Sequence, residues 1–351
     1  MEYRIATKEG VLTCKEYKRG LEVISYEGDD IYLTIPERWK AEAGAETGTE
    51  PETERKTGPA HDSVPEKSVI SIGKKAMLSC KSLRRVKLPG TIEEVGDWAF
   101  AYCDALREVC LPEKGIRFGR GIFRECGKLS LITVDGKEKD ISSLLAAAVT
   151  LLDTPYLFTP VRCGDGEWLK QWDARMLQLL RAADGEGYSK MVLCGEEDYG
   201  SRENNLDYFL NQKRKSKVRI AFMRLLHPLG LQREVQEELE NYLREHTAGS
   251  GFAGGVSAAD KYAAGSGHKG EMSLEKEDDG IWDETWQVLR EEHGEDSEYY
   301  KLFTEIGCLT GENFDRILSE AGEDSPEMKA WFLKYKEEKI GYADFFAELM
   351  I

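Results

Sequence analysis

Between residues 69 and 136 the apolar positions of the chain return every 23 residues. Gly73, Gly96 and Gly119 share one place in that period, as do Met77, Phe100 and Phe123, and then Cys80, Cys103 and Cys126. Leu83, Leu106 and Leu129 follow, then Val86, Val109 and Ile132, then Leu88, Leu111 and Val134, with Pro89 and Pro112 directly behind the last set. A fixed period of this length signals a repeat architecture. The unit has two parts: Leu-x-x-Val-x-Leu-Pro alternates like a strand, whereas Val95, Ala99, Phe100 and Cys103 share one face of a helical turn or two. One unit cannot bury its apolar face alone, so the units must stack. The three cysteines then become a ladder of small, weakly polar core residues.

The pattern changes on both flanks. Ile31-Tyr32-Leu33-Thr34-Ile35-Pro36 has the strand half of an earlier, degenerate unit, but about 30 residues are inserted before the next turn half at Gly73. That insert, 38–67, is rich in Glu, Thr, Gly and Pro with few aromatics, a composition expected to stay disordered. Alternation over Val11 to Tyr17 and Leu21 to Tyr26 predicts strands that cap the open end, so residues 1–37 form a β cap with the degenerate unit and 68–139 form the repeats. Asp140 can cap a helix running through Leu144 to Ala148, and from there apolar residues recur at three and four, as in Trp168, Leu169, Trp172, Met176, Leu177 and Leu180. These stripes predict a helical domain over 140–246. Residues 247–270 hold sixteen Gly, Ala and Ser in 24, which predicts a flexible linker over 247–280, and short periodic stretches then predict helical hairpins over 281–351. Ser325-Pro326 suits the start of one of these helices.

The segments Ile72-Gly73-Lys74-Lys75-Ala76-Met77-Leu78-Ser79-Cys80 and Val95-Gly96-Asp97-Trp98-Ala99-Phe100-Ala101-Tyr102-Cys103 resemble the bacterial BspA-like class of leucine-rich repeats. The resemblance covers residues 69–136. It implies a small right-handed solenoid with strands on its concave side, used in that family to bind other macromolecules. The expected fold class is therefore an α/β leucine-rich-repeat solenoid of short 23-residue repeats with an N-terminal β cap, followed by mostly α-helical domains. Two departures stand in the third unit: an extra glycine, Gly121, in the helical half, and Asp135 in place of proline.

Composition narrows the class further. With 351 residues, 41% of them apolar and 32% charged, the chain is too long for a disulfide-stapled miniprotein and too apolar to be wholly disordered. It has no run of eighteen apolar residues and no basic-then-apolar start, so a soluble cytoplasmic protein is expected. Its eight cysteines form no C-x-x-C pair and sit at no zinc-finger spacing, so reduced thiols and no structural zinc are expected. The formal charge of -17 argues against nucleic acid as a partner, although residues 69–136 carry twelve Lys/Arg against eight Asp/Glu while 271–298 carry two against twelve.

Motifs for chemistry are weak. Gly121 to Lys128 fits G-x-x-x-x-G-K, but Leu129 fills the magnesium-binding Ser/Thr position and the segment lies inside a repeat. His246 and His293 sit near helix ends, where a cation would complement the helix dipole. Cys163, Cys194 and His227 are the residues on which an enzyme or enzyme-regulator reading of 150–246 would rest, with buried hydrophobe the favoured reading of both thiols. The run Lys213 to Arg219 is expected to be a solvated surface or turn, or else the contact for an anionic partner such as nucleic acid through 213–224. The leading expectation is a non-catalytic protein-binding protein without cofactor, metal or membrane contact, its partner a protein not named by the sequence. The candidate residues are Arg85, Lys87, Glu108, Cys110, Leu131 and Thr133 on the concave strand face. Trp98 and Tyr102 join them on the other half of the unit, either as an exposed aromatic pair or packed on the helical domain that follows.

Overall fold

The computed structural model describes residues 2–39, 66–188, 205–251, 283–322 and 325–341, and the chain divides into two compact units, Met1–Trp168 and Leu169–Ile351. In the first unit the 23-residue period becomes two stacks of short strands. One sheet runs in the order β1 (Glu2–Ala6), β2 (Gly10–Tyr17), β3 (Gly20–Gly28), β6 (Lys67–Ile72), β8 (Glu94–Val95), β10 (Arg117–Phe118). The other runs β4 (Tyr32–Thr34), β7 (Arg85–Lys87), β9 (Glu108–Leu111), β11 (Leu131–Val134). The hairpin β1–β2–β3 is antiparallel, and from β3 onward the rungs are parallel, as stacked copies of one unit must be. β5 (Arg38–Trp39) pairs antiparallel with Lys67 and Ser68 of β6, so the ends of the segment expected to be disordered are strand. Its interior lies outside the described residues.

Each repeated residue has a physical role. Leu33, Val86, Val109 and Ile132 lie side by side in the second sheet and are fully buried; a side chain of this kind stabilises by about 1.5–3 kcal/mol on burial. The periodic glycines mark where one coil passes over the next: a Cβ on Gly96 would come within 2.6 Å of the Lys74 nitrogen, and one on Gly119 within 2.5 Å of the Asp97 nitrogen. Pro89 and Pro112 follow the strands and supply no N–H, ending the ladder there. Asp135, which stands in the proline place of the last unit, donates its N–H to the Leu111 carbonyl at 3.1 Å and carries the ladder one bond further.

The second half of the unit corrects the expectation of helix. Residues 74–79, 97–102 and 120–125 are turns, in which Lys75, Ser79, Trp98, Tyr102, Gly121 and Glu125 all take φ between 57° and 60°. Left-handed residues every four positions cannot sustain an α-helix, and the freed amides bond instead to the next coil: Met77 N–H donates to Ala99 O at 2.8 Å and Phe100 N–H to Ile122 O at 3.0 Å. Gly121, a departure from the pattern when read as helix, sits at a position whose backbone favours glycine.

α1 (Lys139–Thr150) packs on β11, and Phe158, after a short 3-10 turn (Pro155–Leu157), lies 4.3 Å from the Phe118 ring and 5.8 Å from that of Phe123. These residues close the last repeat. A unit boundary at 139/140 is therefore too early; the division falls after Trp168, within α2 (Gly166–Arg181). α1 also begins one residue before Asp140, which sits in its first turn instead of capping it.

In the second unit α3 (Leu206–Leu226) packs against α4 (Arg233–Glu245), α5 (Glu284–Glu292) and α6 (Ser297–Glu305), and α8 (Pro326–Tyr335) packs on α6, with α7 (Phe314–Glu320) between them in sequence. Ser325 and Pro326 do start α8. Thr247 and Ser250 are buried and bonded to Leu243 O and Arg244 O, so the start of the expected linker is part of the fold; residues 252–282 lie outside the described ones.

Candidate binding surface

Parallel register turns the sequence pattern into rows. Tyr32, Arg85, Glu108 and Leu131 are lateral neighbours across the second sheet, and so are Thr34, Lys87, Cys110 and Thr133. Both rows flank the buried Leu33–Val86–Val109–Ile132 row, and alternation along each strand sends them to the opposite face. Six of the eight residues singled out in the sequence are thereby placed, four as two adjacent cross-strand pairs: Arg85 with Glu108 and Lys87 with Cys110.

The rows are graded in exposure. Tyr32 is 68% exposed and Arg85 and Lys87 are exposed, whereas Glu108, Leu131 and Thr133 are half-buried. Cys110 differs from the expectation of an exposed strand-face residue: it is 8% exposed, covered by Arg85, whose Nε donates to its Sγ at 3.3 Å. The same guanidinium lies 3.3 Å from the Glu108 carboxylate, so Arg85, Glu108 and Cys110 form one small polar cluster. Its neighbour Lys87 has no ion pair among the described residues. Tyr32, the most exposed of the large apolar side chains among the described residues, extends this face by one strand; the strand half around Ile31 to Pro36 had pointed to it, but the 30-residue insert hid its register.

Trp98 and Tyr102 lie on the turn side. Trp98 is half-buried against the third repeat: a Cβ at Gly121 would lie 3.6 Å from its ring, and the Arg124 guanidinium stands 5.5 Å from the ring centroid. This is a cation–π arrangement between successive coils. Tyr102 remains 40% exposed. The thiols below them form the expected ladder, Cys103 donating to Met77 O at 3.2 Å and Cys126 to Phe100 O at 3.1 Å, with hydrogen bonds to Cys126 and Cys80 and burial together pushing the Cys103 pKa up.

The residues of the enzyme reading are less promising as chemistry. Cys163 is buried, donates to Pro160 O at 3.1 Å and is pushed up to about 11 by that burial, away from the thiolate a nucleophile requires. His227 is half-buried at the end of α3, with its carbonyl bound by Arg224, and Cys194 lies outside the described residues. The basic run is no turn, and of its five cations Lys213 alone is exposed. It lies in the middle of α3 with Lys215 and Lys217 buried, and it is matched by acids: Arg214 and Lys217 on Asp184 at 2.9 and 2.6 Å, Lys215 on Glu291 at 2.8 Å, Arg219 on Glu292 at 2.6 Å. His246, expected as a cation at a helix end, is buried against Tyr242 and pushed down to about 4.

Residues 61–152 match the family model described as a BspA type leucine rich repeat region of six copies. The chain carries a BspA-type leucine-rich-repeat region. Among solved structures it is similar to a leucine rich cell surface protein from Faecalibacterium prausnitzii (20% identity, 38% of this chain and 31% of that one, TM-score 0.27). It is also similar to leucine-rich repeat proteins from Bacteroides ovatus (21%, 37% and 29%, TM-score 0.27) and Bacteroides capillosus (15%, 38% and 99%, TM-score 0.26). The chain spans about three tenths of the length of the first two. No curated protein matches it. Among the described residues no helix is long and apolar enough to cross a membrane.

Proposed function

We propose that this protein is a non-catalytic binding module, and that the outer face of the β4–β7–β9–β11 sheet is where it takes a protein partner. The observation that carries this reading is the register itself. Stacking brings Tyr32, Arg85, Lys87 and Glu108, drawn from three strands, onto one exposed face that has an aromatic, two cations and a carboxylate. A surface with aromatic and arginine anchors beside half-buried apolar residues is the composition on which protein interfaces concentrate their energy. Leucine-rich-repeat proteins are binding scaffolds as a class, and nothing in this face calls for a reaction. We place the protein in a reducing, cytoplasmic setting, a reading supported by the seven described cysteines, all free thiols. Affinity purification with the wild type and with Arg85→Ala/Lys87→Ala/Glu108→Ala tests the face. Partners should be lost from the variant while its unfolding free energy stays within about 1 kcal/mol of wild type, as expected for an ion pair that faces solvent; identical partner sets would remove the face from consideration.

A further inference from the structure

The two stacks of the solenoid end at different levels. The first sheet continues past β3 through β2 and β1, whereas the second stops at β4, which has β7 as its one neighbour among the described residues. Ile31 O accepts the N–H groups of Arg84 and Arg85 at 2.9 and 3.1 Å, and Ile35 N–H donates to Lys87 O at 3.0 Å. The odd-numbered residues thus bond to β7, and alternation turns the N–H and C=O of Tyr32 and Thr34 to the open side. No described residue bonds these four groups. Ile31 and Tyr32, 41% and 68% exposed, add apolar surface beside them. Natural sheets blunt an open edge with charge, proline or a covering loop, yet β4 itself bears no charge, and Pro36 comes only after its end.

The surroundings select what could dock there. In register with Ile31, Tyr32 and Thr34 stand Arg84, Arg85 and Lys87, all exposed, and Arg84 and Lys87 have no ion pair among the described residues. Asp29, Asp30 and Glu37 lie beyond the two ends of the strand, Asp30 buried and bonded to Thr7 and Tyr26, and Glu108 already pairs with Arg85. A strand added to β4 would lie about 9.6 Å from β7 backbone to backbone, two strand spacings; the long Arg and Lys stems can span much of that gap and bring their charges inside the screening length of about 8 Å at physiological salt, so they would favour acidic side chains at its centre.

We propose that β4 is a docking edge for an extended acidic segment of a partner protein, which adds to the second sheet as a further strand. The proposal shares Arg85 and Lys87 with the face described above but uses the backbone of Tyr32 and Thr34, which that reading does not. The test uses the full chain and a fluorescein-labelled eight-residue peptide alternating Glu and Val, with its Lys and Val counterpart as control. The Glu peptide should bind, at least tenfold more tightly than the Lys peptide, and should slow hydrogen exchange of the Tyr32 and Thr34 amides at least tenfold in the wild type. Thr34→Pro removes an open-side N–H without removing a ladder bond, and should weaken binding at least tenfold; the exchange measurement decides the matter if that variant does not fold. Absent binding, unchanged amide exchange, or equal affinity for a folded Thr34→Pro protein overturns the proposal. So does slow exchange of both amides in the protein alone, which would give the edge to a second copy or to this chain itself. A peptide that binds Thr34→Pro normally but not Arg85→Ala/Lys87→Ala/Glu108→Ala would leave the face in place and remove the edge.

Discussion

Six residues in three successive coils share one unusual backbone state, and two of them give a paired test of what that state costs. Ser79 is exposed with φ 60°, and Gly121 has φ 58° in the following coils. An L-residue in this region costs roughly 1–2 kcal/mol, and a glycine there gives back about 0.5–1 kcal/mol through its greater freedom when unfolded. Ser79→Gly should therefore stabilise and Gly121→Ser destabilise, each by about 1 kcal/mol, in urea unfolding. A Cβ at 121 meets Trp98 at 3.6 Å, an ordinary contact, so crowding does not compete with strain. Shifts of the same sign in both variants would refute the account. His246 gives a second test. Its Nδ1 lies 2.8 Å from Tyr242 O, and burial lowers its pKa to about 4 in the fold, against about 6.5 unfolded. The unfolded chain thus binds one more proton between those values, so the stability the neutral ring supplies is complete above about pH 6.5 and is lost as pH falls toward 4. His246→Asn should flatten that part of the stability-pH curve; an unchanged slope would mean the ring does not titrate on unfolding.

At the scale of the element, strands and turns differ in how much of them the sequence disclosed. The apolar period located β7, β9 and β11 and the buried rows because it reports side-chain direction, and the three- and four-residue spacing located α2 for the same reason. It did not distinguish a turn with left-handed residues from a helix over 97–102, since Ala99, Phe100 and Cys103 are buried in either conformation. Nor could it show what the run Lys213 to Arg219 was for, because the acids that meet it lie 30 to 76 residues away along the chain. In α3 those pairs are unequal. Asp184 is held by Lys217 and Arg214 with all three side chains no more than 17% exposed, and although burial alone would raise its pKa, the two cations outweigh it and keep it low. Arg219 and Glu292 are about 30% exposed. Removing one partner of a buried group strands the others, at about 3 kcal/mol or more, whereas an exposed pair is worth under about 1 kcal/mol. Asp184→Ala should thus lower the urea midpoint far more than Glu292→Ala. Equal losses would show that the Asp184 cluster is solvated.

For the whole molecule, the net charge of -17 is a sum over parts of opposite sign, and the basic part is the repeat whose outer face carries the proposed binding residues. The sequence marked where repeats stop and helices begin, but secondary structure is a poor guide to where a folding unit ends. A stack of strands leaves its last apolar layer open, and something from the neighbouring stretch must close it. Here Ile141, Leu144, Leu145 and Phe158 are buried in the first unit, and Trp168, also buried, donates its indole N–H to Leu157 O at 2.8 Å. At about 1.5–3 kcal/mol for each large apolar side chain, deleting these residues removes several kcal/mol at least, which is comparable with the roughly 5–15 kcal/mol that holds a whole domain together. A fragment of residues 1–168 should accordingly unfold in one cooperative thermal transition. A fragment of residues 1–138, cut at the boundary that secondary structure alone recommends, keeps every strand yet should lose that transition and aggregate through the exposed Phe118, Phe123 and Val134. Calorimetry of the two fragments decides between a self-sufficient repeat and one completed by α1 and Phe158: matching transitions would show that the stack needs no cap.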